Sequence, residues 1–225
     1  MFRTPAGSQP VRRSRLHRLA IPAAVALAVS FAAVVSDESP ADAYPPDPPD
    51  PATSLEHLNA ITEADEGSMD GYDRDQFPHW INVEGSCDTR EMVLKRDGTD
   101  VTTGSDCYPT SGSWYSVYDQ VWLSEPSDVS IDHIVALAEA WRSGASAWTT
   151  DQRQTFANDL QHAQLIASSI SSNSSKGDKD PSEWKPPNTG VWCIYAREWI
   201  DVKYVYGLTA DAPEKAALGD MLGTC

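Results

Sequence analysis

Asp132-His133, Asn158, Asn173 and Lys176 are the residues whose types and spacing could do chemistry. Counted from His133, the gaps are 25, 15 and 3 residues. An imidazole can take a proton from water near neutral pH. A carboxylate and an amide oxygen are hard ligands, suited to Mg²⁺ or Mn²⁺. A cation held by Asp132 and Asn173 would stabilise charge on a phosphoryl oxygen and on a leaving oxygen. Lys176 follows Asn173 by one helical turn, so it would share that face and could touch phosphate. Each element has a bland reading. Asp-His is a common dipeptide, and Asn and Lys near Gly are ordinary turn and surface residues.

These residues need elements to hold them. Val129–Val135 reads as a short strand running into a helix over Ala136–Arg142, which Gly144 ends. Neighbours on a regular strand point to opposite faces. Asp132 and His133 can therefore serve one site only if the strand ends or bends there. Thr149-Thr150-Asp151 caps the next helix, with Arg153, Phe156 and Leu160 along it. Residues 164–172 read as a strand or as the start of a helix, and residues 176–181 as a turn. Upstream, Leu55, Leu58 and Ile61 recur at helical spacing after Thr53-Ser54. A helix over Thr89–Lys95 is capped by Asp88 or Thr89, and residues 111–122 form a hairpin candidate. Downstream, Tyr195–Tyr206 is predicted helical, with Trp199 and Val202 on one face. Ala212-Pro213-Glu214 opens a last helix, with Leu218 and Leu222 facing inward. There is no internal repeat and no βαβ regularity, so the fold class is α+β.

A chain of 225 residues excludes a large multidomain machine. The formal net charge of −16 argues against a protein held on DNA by bulk charge. Arg12, Arg13, Arg15 and Arg18 precede an apolar run over Leu19–Val35, and Ala41-Asp42-Ala43 follows. That order describes a secretory signal peptide over residues 1–43; the alternative is an N-terminal membrane anchor. Cleavage after Ala43 leaves 182 residues with net charge −18. Residues 44–54 are Pro-rich and read as an extended leader outside the core, and residues 55–225 as the functional domain. The four cysteines suit an exported protein with two disulfides. Three pairings are open; Cys87–Cys107 with Cys193–Cys225 is preferred because each closes a local segment. No C-x-x-C pair is present, which argues against a structural zinc cluster.

Three segments together resemble HNH nucleases: Ser130-Ile-Asp-His-Ile-Val135, Phe156-Ala-Asn-Asp159 and Ser172-Asn-Ser-Ser-Lys-Gly-Asp-Lys-Asp-Pro181. They are similar in particular to small secreted HNH endonuclease proteins related to the C-terminal domain of GmrSD-type restriction enzymes. The resemblance extends to Gly71-Tyr-Asp-Arg-Asp-Gln-Phe-Pro-His-Trp80, Cys87-Asp-Thr-Arg90 and Trp184-Lys-Pro-Pro187, and covers roughly Leu55 to Cys225. It implies a ββα-metal core, over about residues 127–185, embedded in additional helices and holding one divalent cation, Mg²⁺ or Mn²⁺. His133 matches the general base, and Asn158 matches the Asn that fixes the loop and orients that base. Asp132 and Asn173 match metal ligands, and Lys176 matches a lysine near the scissile phosphate. Ala136 stands where many relatives have proline, which implies a looser loop. Arg90 is either a phosphate contact or a salt bridge stapling the Cys87 turn, and His79 is structural. Lys176, Lys179 and Lys185 would form a local basic rim.

The function so implied is a secreted, metal-dependent HNH endonuclease acting on DNA, with RNA as a further candidate substrate. It would be a monomer, free of membrane after signal cleavage, binding nucleic acid weakly and without sequence specificity. Two alternatives stand beside it. One is a catalytically inactive secreted binding module on an HNH scaffold. The other is an antibacterial effector nuclease with an immunity partner.

Overall fold

Side chains that cap helices set most of the element boundaries. The computed structural model describes residues 45–225. The expected signal peptide, residues 1–43, lies outside the described residues. Asp50 accepts from the Ala52 and Thr53 amides and starts α1, Pro51–Ala60, with proline in its first turn. The extended leader is thus shorter than expected: residues 51–54 are helical. What remains of it is not outside the core. Pro45 and Pro48 are buried, and Arg197 donates to the Pro49 carbonyl at 2.7 Å and the Pro48 carbonyl at 2.8 Å.

A short ribbon of β1, Asn82–Glu84, and β2, Cys87–Asp88, leads into α2, Thr89–Asp97. Asp88 and Glu91 form a reciprocal capping box there. Next come β3, Gly98–Thr103, β4, Pro109–Ser116, and β5, Val121–Leu123, as one antiparallel sheet. The hairpin expected over residues 111–122 is its second half, with Tyr115 opposite Trp122.

The second sheet carries the site. β6, Val129–His133, leads to α3, Leu137–Arg142, and α4, Thr150–Ala157, before β7, Leu165–Ser169, returns antiparallel to β6. Thr149 and Gln152 cap α4 reciprocally. Ser169 ends β7 and its hydroxyl caps α5, Ile170–Lys176, so residues 164–172 are strand and helix in succession. α6, Trp192–Tyr206, and α7, Ala212–Leu222, complete the α+β chain. Among the described residues no helix is long and apolar enough to cross a membrane.

Alternation along β6 divides two cores. Val129 and Ile131 join Val93, Leu94 and Trp114 under α2. The larger core gathers Phe77, Trp141, Phe156, Tyr195, Trp199 and Leu218 from the helical side. The disulfides are Cys87–Cys107 and Cys193–Cys225, the local pairing. The second ties the last residue to the start of α6.

Buried charge is concentrated on α6. Lys203 donates to Glu139 at 2.8 Å and Glu214 at 2.6 Å, and Glu139 also holds Arg142. Glu198 lacks such a partner, and burial pushes its carboxyl up to about 8. A carboxyl raised on folding gives stability that is full below the unfolded value, near 4.5, and lost as pH rises through 8. Glu198→Gln removes that ionisation. It should leave the melting temperature unchanged at pH 4 and raise stability at pH 9 by on the order of 3 kcal/mol. Thermal melts of both proteins across that range check this, and parallel curves would refute it.

Candidate active site

β6 ends at His133, and the ladder runs one bond further before the chain turns toward α3. Ile134 donates to the Gln164 carbonyl at 2.7 Å, and Val135 donates to the Gln164 side chain at 3.1 Å. Gln164 returns a bond to the Val135 carbonyl at 2.9 Å. The chain bends at residues 134–135, just beyond the Asp132-His133 pair, so both residues keep the alternation of the strand and border the cleft at its end. Ala136 sits at φ −57°, a value proline would adopt.

His133 Nε2 lies 3.0 Å from the Ala157 carbonyl oxygen. That oxygen can only accept, so Nε2 carries the proton and Nδ1 keeps its lone pair. The ring is 4% exposed. Burial drags its basicity down to about 3, and the charges of Arg74 and Lys176 and the neighbouring His79 act in the same direction. His133 is therefore a neutral acceptor well into the acid range. Trp80 covers one side, with ring centroids 5.5 Å apart and planes tilted by 32°. His79 donates to or accepts nothing in the cleft; its Nδ1 lies 2.8 Å from the Phe77 carbonyl, in keeping with a structural role.

Asn158 closes α4 and makes four hydrogen bonds. Its amide nitrogen donates to the carbonyls of Pro78 and Gln154, each at 2.7 Å. Its oxygen accepts from the Ile81 amide at 3.2 Å and the Thr89 hydroxyl at 2.8 Å. Two of these bonds clasp the segment on either side of Trp80, whose φ of 58° lies in the left-handed region. Asn158 thus positions both the carbonyl that holds His133 and the indole that covers it.

Asp132 points to the opposite face, as alternation demands. It is 3% exposed. Its Oδ2 accepts from the Tyr118 hydroxyl at 2.8 Å and its Oδ1 from Lys176 Nζ at 3.0 Å. Burial raises its carboxyl, and Lys176 and Tyr118 act against that rise. Asn173 donates from its amide nitrogen to Ser130 Oγ at 2.5 Å, which leaves its Oδ1 for other partners.

A cleft of about 60 Å³ brings these groups together. Asp132, His133, Asn173 and Arg74 line it, with Ala136 and Leu137 as apolar wall. The donor set fits a hard divalent cation. A carboxylate has about four lone-pair sites, so two protein bonds do not exhaust Asp132, and Asn173 adds an amide oxygen. Asp180, Asp211 and Glu214 form a separate acidic cluster that does not line this cleft. Asp180 accepts from the Ser182 amide and Glu214 from Lys203 and Trp199, so both serve the fold.

Two residues expected to meet substrate are engaged inside the protein. Lys176 is fully buried; besides Asp132 it donates to the His133 carbonyl at 2.8 Å. Its head lies behind the cleft and not at its mouth. Arg90 donates to the carbonyls of Pro126 at 3.2 Å and Val129 at 3.0 Å. It is neither a free phosphate donor nor a salt bridge at the Cys87 turn. Lys179 donates to the Ser175 carbonyl and Lys185 lies over Trp192, and neither lines the cleft beside Asn173. The cation that does reach the cleft is Arg74, which the spacing argument passed over. Its place within Gly71–Trp80, a segment of the resemblance, was the available signal.

Residues 90–221 match the family model described as GmrSD restriction endonucleases, C-terminal domain. The chain is 52% identical over 181 residues to an uncharacterized secreted protein of Arthroderma benhamiae, covering 80% of this chain and 89% of that relative. No solved structure matches. The matched segment contains β6, β7, α5 and every polar residue of the cleft except Arg74. By the extent of these matches, the chain belongs to the family of GmrSD restriction endonuclease C-terminal domains.

Proposed function

We propose that the protein is a secreted HNH endonuclease that hydrolyses phosphodiester bonds of DNA with one divalent cation, RNA being the other candidate substrate. The observation that carries this reading is the tautomer of His133. Its Nε2 is tied to the Ala157 carbonyl, and its ring shares one cleft with Asp132 and Asn173. The antiparallel β6–β7 pair followed directly by α5 serves as the ββα-metal core.

His133 Nδ1 accepts a proton from water, and the resulting hydroxide oxygen bonds to phosphorus as the bond to the 3′ oxygen breaks. The Ala157 carbonyl keeps accepting from Nε2 and so stabilises the imidazolium that forms. Asn158 holds that carbonyl in place. Asp132 and Asn173 hold Mg²⁺ or Mn²⁺, which when bound supplies charge stabilisation to the phosphoryl and leaving oxygens. The polar groups of the cleft suit a cation and phosphate oxygens, which carry no sequence information, so cleavage is independent of sequence. The strongly acidic chain makes binding weak and salt-sensitive.

Export is supported by the basic, apolar and small-residue order of residues 1–43, by the two disulfides and by the name of the Arthroderma relative. The nuclease domain then follows the leader and acts as a monomer without membrane association. The test uses the full chain expressed for export and recovered with both disulfides formed. Supercoiled plasmid should be cut with Mg²⁺ or Mn²⁺ and spared with EDTA. Cleavage that ignores EDTA would overturn the metal-dependent mechanism. Sparing of both DNA and RNA by the folded protein would leave the binding module as the better reading.

A further inference from the structure

We propose that Arg74 is the residue that binds the scissile phosphate. This deepens the nuclease reading and rests on it for the identity of the diester. Six arginines fall within the described residues, and five are engaged by the protein. Arg90, Arg153 and Arg197 donate to backbone carbonyls, Arg96 pairs with Asp97, and Arg142 pairs with Glu66, Glu139 and Asp178. Among the described residues Arg74 makes neither an ion pair nor a hydrogen bond through its guanidinium. It does so although Asp73 and Asp75 flank it and acids outnumber bases by 33 to 17 in the sequence. Asp73 is turned to another task, capping the short turn Arg74–Gln76 by accepting from the Asp75 amide at 2.9 Å.

The mount of Arg74 is fixed even though its head is not. The Phe77 amide donates to the Arg74 carbonyl at 3.0 Å, and Phe77 itself is fully buried. Arg153 donates to the Gln76 carbonyl at 3.0 Å, and the Gln76 side chain donates to the Gly71 carbonyl at 2.5 Å. Tyr72 packs edge-on against Trp141 with centroids 5.8 Å apart. A rigid turn thus holds an exposed, unpaired planar fork at the wall of the cleft that Asp132, His133 and Asn173 also line. That fork matches two non-bridging oxygens of a phosphodiester. Lys176, the other cation near the cleft, is fully buried against Asp132 and unable to reach them.

The test compares the full, disulfide-intact protein with Arg74→Ala and Arg74→Lys. Substrates are plasmid and bis(4-nitrophenyl) phosphate, each with Mn²⁺. Arg74→Ala should lower kcat/KM by about tenfold or more on both, mostly through KM, with Arg74→Lys between the two. Melting temperature should not move, because the side chain bonds to nothing else, and Mn²⁺ affinity should not fall, because the substitution removes a positive charge that acts on Asp132. A kcat/KM within twofold of wild type would overturn the assignment and leave the nuclease reading standing. If the wild type cuts neither substrate, the nuclease reading fails, and fluorescence anisotropy with labelled oligothymidylate decides the rest. Binding that Arg74→Ala weakens, with a shallower salt dependence, would uphold Arg74 as a phosphate site. Binding that is absent or indifferent to the substitution would overturn it.

Discussion

His133→Ala is expected to lower plasmid cleavage by on the order of a thousandfold while the protein stays folded. The loss follows from one atom. Nδ1 is the acceptor that the cleft offers to a water, and the tautomer that frees it depends on the Ala157 carbonyl. Losing the buried ring also strands that carbonyl, which costs about 1–3 kcal/mol of stability. Circular dichroism and thermal melts separate this cost from lost chemistry. Free imidazole in the assay should restore part of the rate of the alanine variant, which a purely structural role would not allow. A rate within tenfold of wild type would remove His133 from the mechanism. Because burial holds the ring neutral down to about 3, the wild-type rate should not fall between pH 7 and pH 5 along an ordinary histidine titration.

Lys176→Met carries the largest expected loss of stability, about 3–5 kcal/mol at pH 7. The ammonium is fully buried between Asp132 and the His133 carbonyl, and it lies 5.9 Å from the Trp199 ring centre. Removing it leaves the largely buried Asp132 carboxylate with Tyr118 as its one side-chain hydrogen-bond partner. Burial already raises that carboxyl, and without Lys176 it rises further. The sign is then fixed. The penalty is absent below the unfolded carboxyl value, near 4, where Asp132 is protonated in both states, and it grows as pH rises from there through the raised folded value. Denaturant melts at pH 7 and pH 3.5 should therefore differ more for wild type against Lys176→Met at the higher pH. Adding Asp132→Asn should recover much of the loss. Unchanged stability with a raised KM would instead return Lys176 to the substrate contact that its spacing suggested.

Much of the fold is legible because its signals are local. Asp88 with Glu91 and Thr149 with Gln152 announce two helix starts by spacing alone. Ser169 shows where a local rule has two outcomes: it ends a strand and caps a helix, so neither reading of residues 164–172 was complete. Asp50 was passed over as a cap because the prolines around it read as an extended leader. In the site, the order of Asp132, His133, Asn158 and Asn173 was legible; Asp132, His133 and Asn173 line one cleft, and Asn158 follows the residue whose carbonyl bonds His133. The heads of the cations were not legible. An i, i+3 spacing places Asn173 and Lys176 only about 60° apart around α5. That offset, with a four-carbon stem, turns one side chain to the cleft and the other into the core. Arg90 and Arg74 differ in nothing that composition records. One meets two carbonyls brought from 36 and 39 residues away, and the other meets none.

The Asn158 clasp bears on the order in which the molecule assembles. Its bonds reach back 77 and 80 residues, to Ile81 and Pro78, and His133 meets its carbonyl 24 residues ahead. Helices with their own caps can form from neighbouring residues, whereas these contacts close long loops and come with the slow, non-local part of folding. A nascent or nicked chain with its helices in place and this closure incomplete has no fixed tautomer and no covered imidazole. Under the proposed mechanism, competence would therefore arrive in one step, with the final docking of distant segments, and would not accumulate gradually as secondary structure forms.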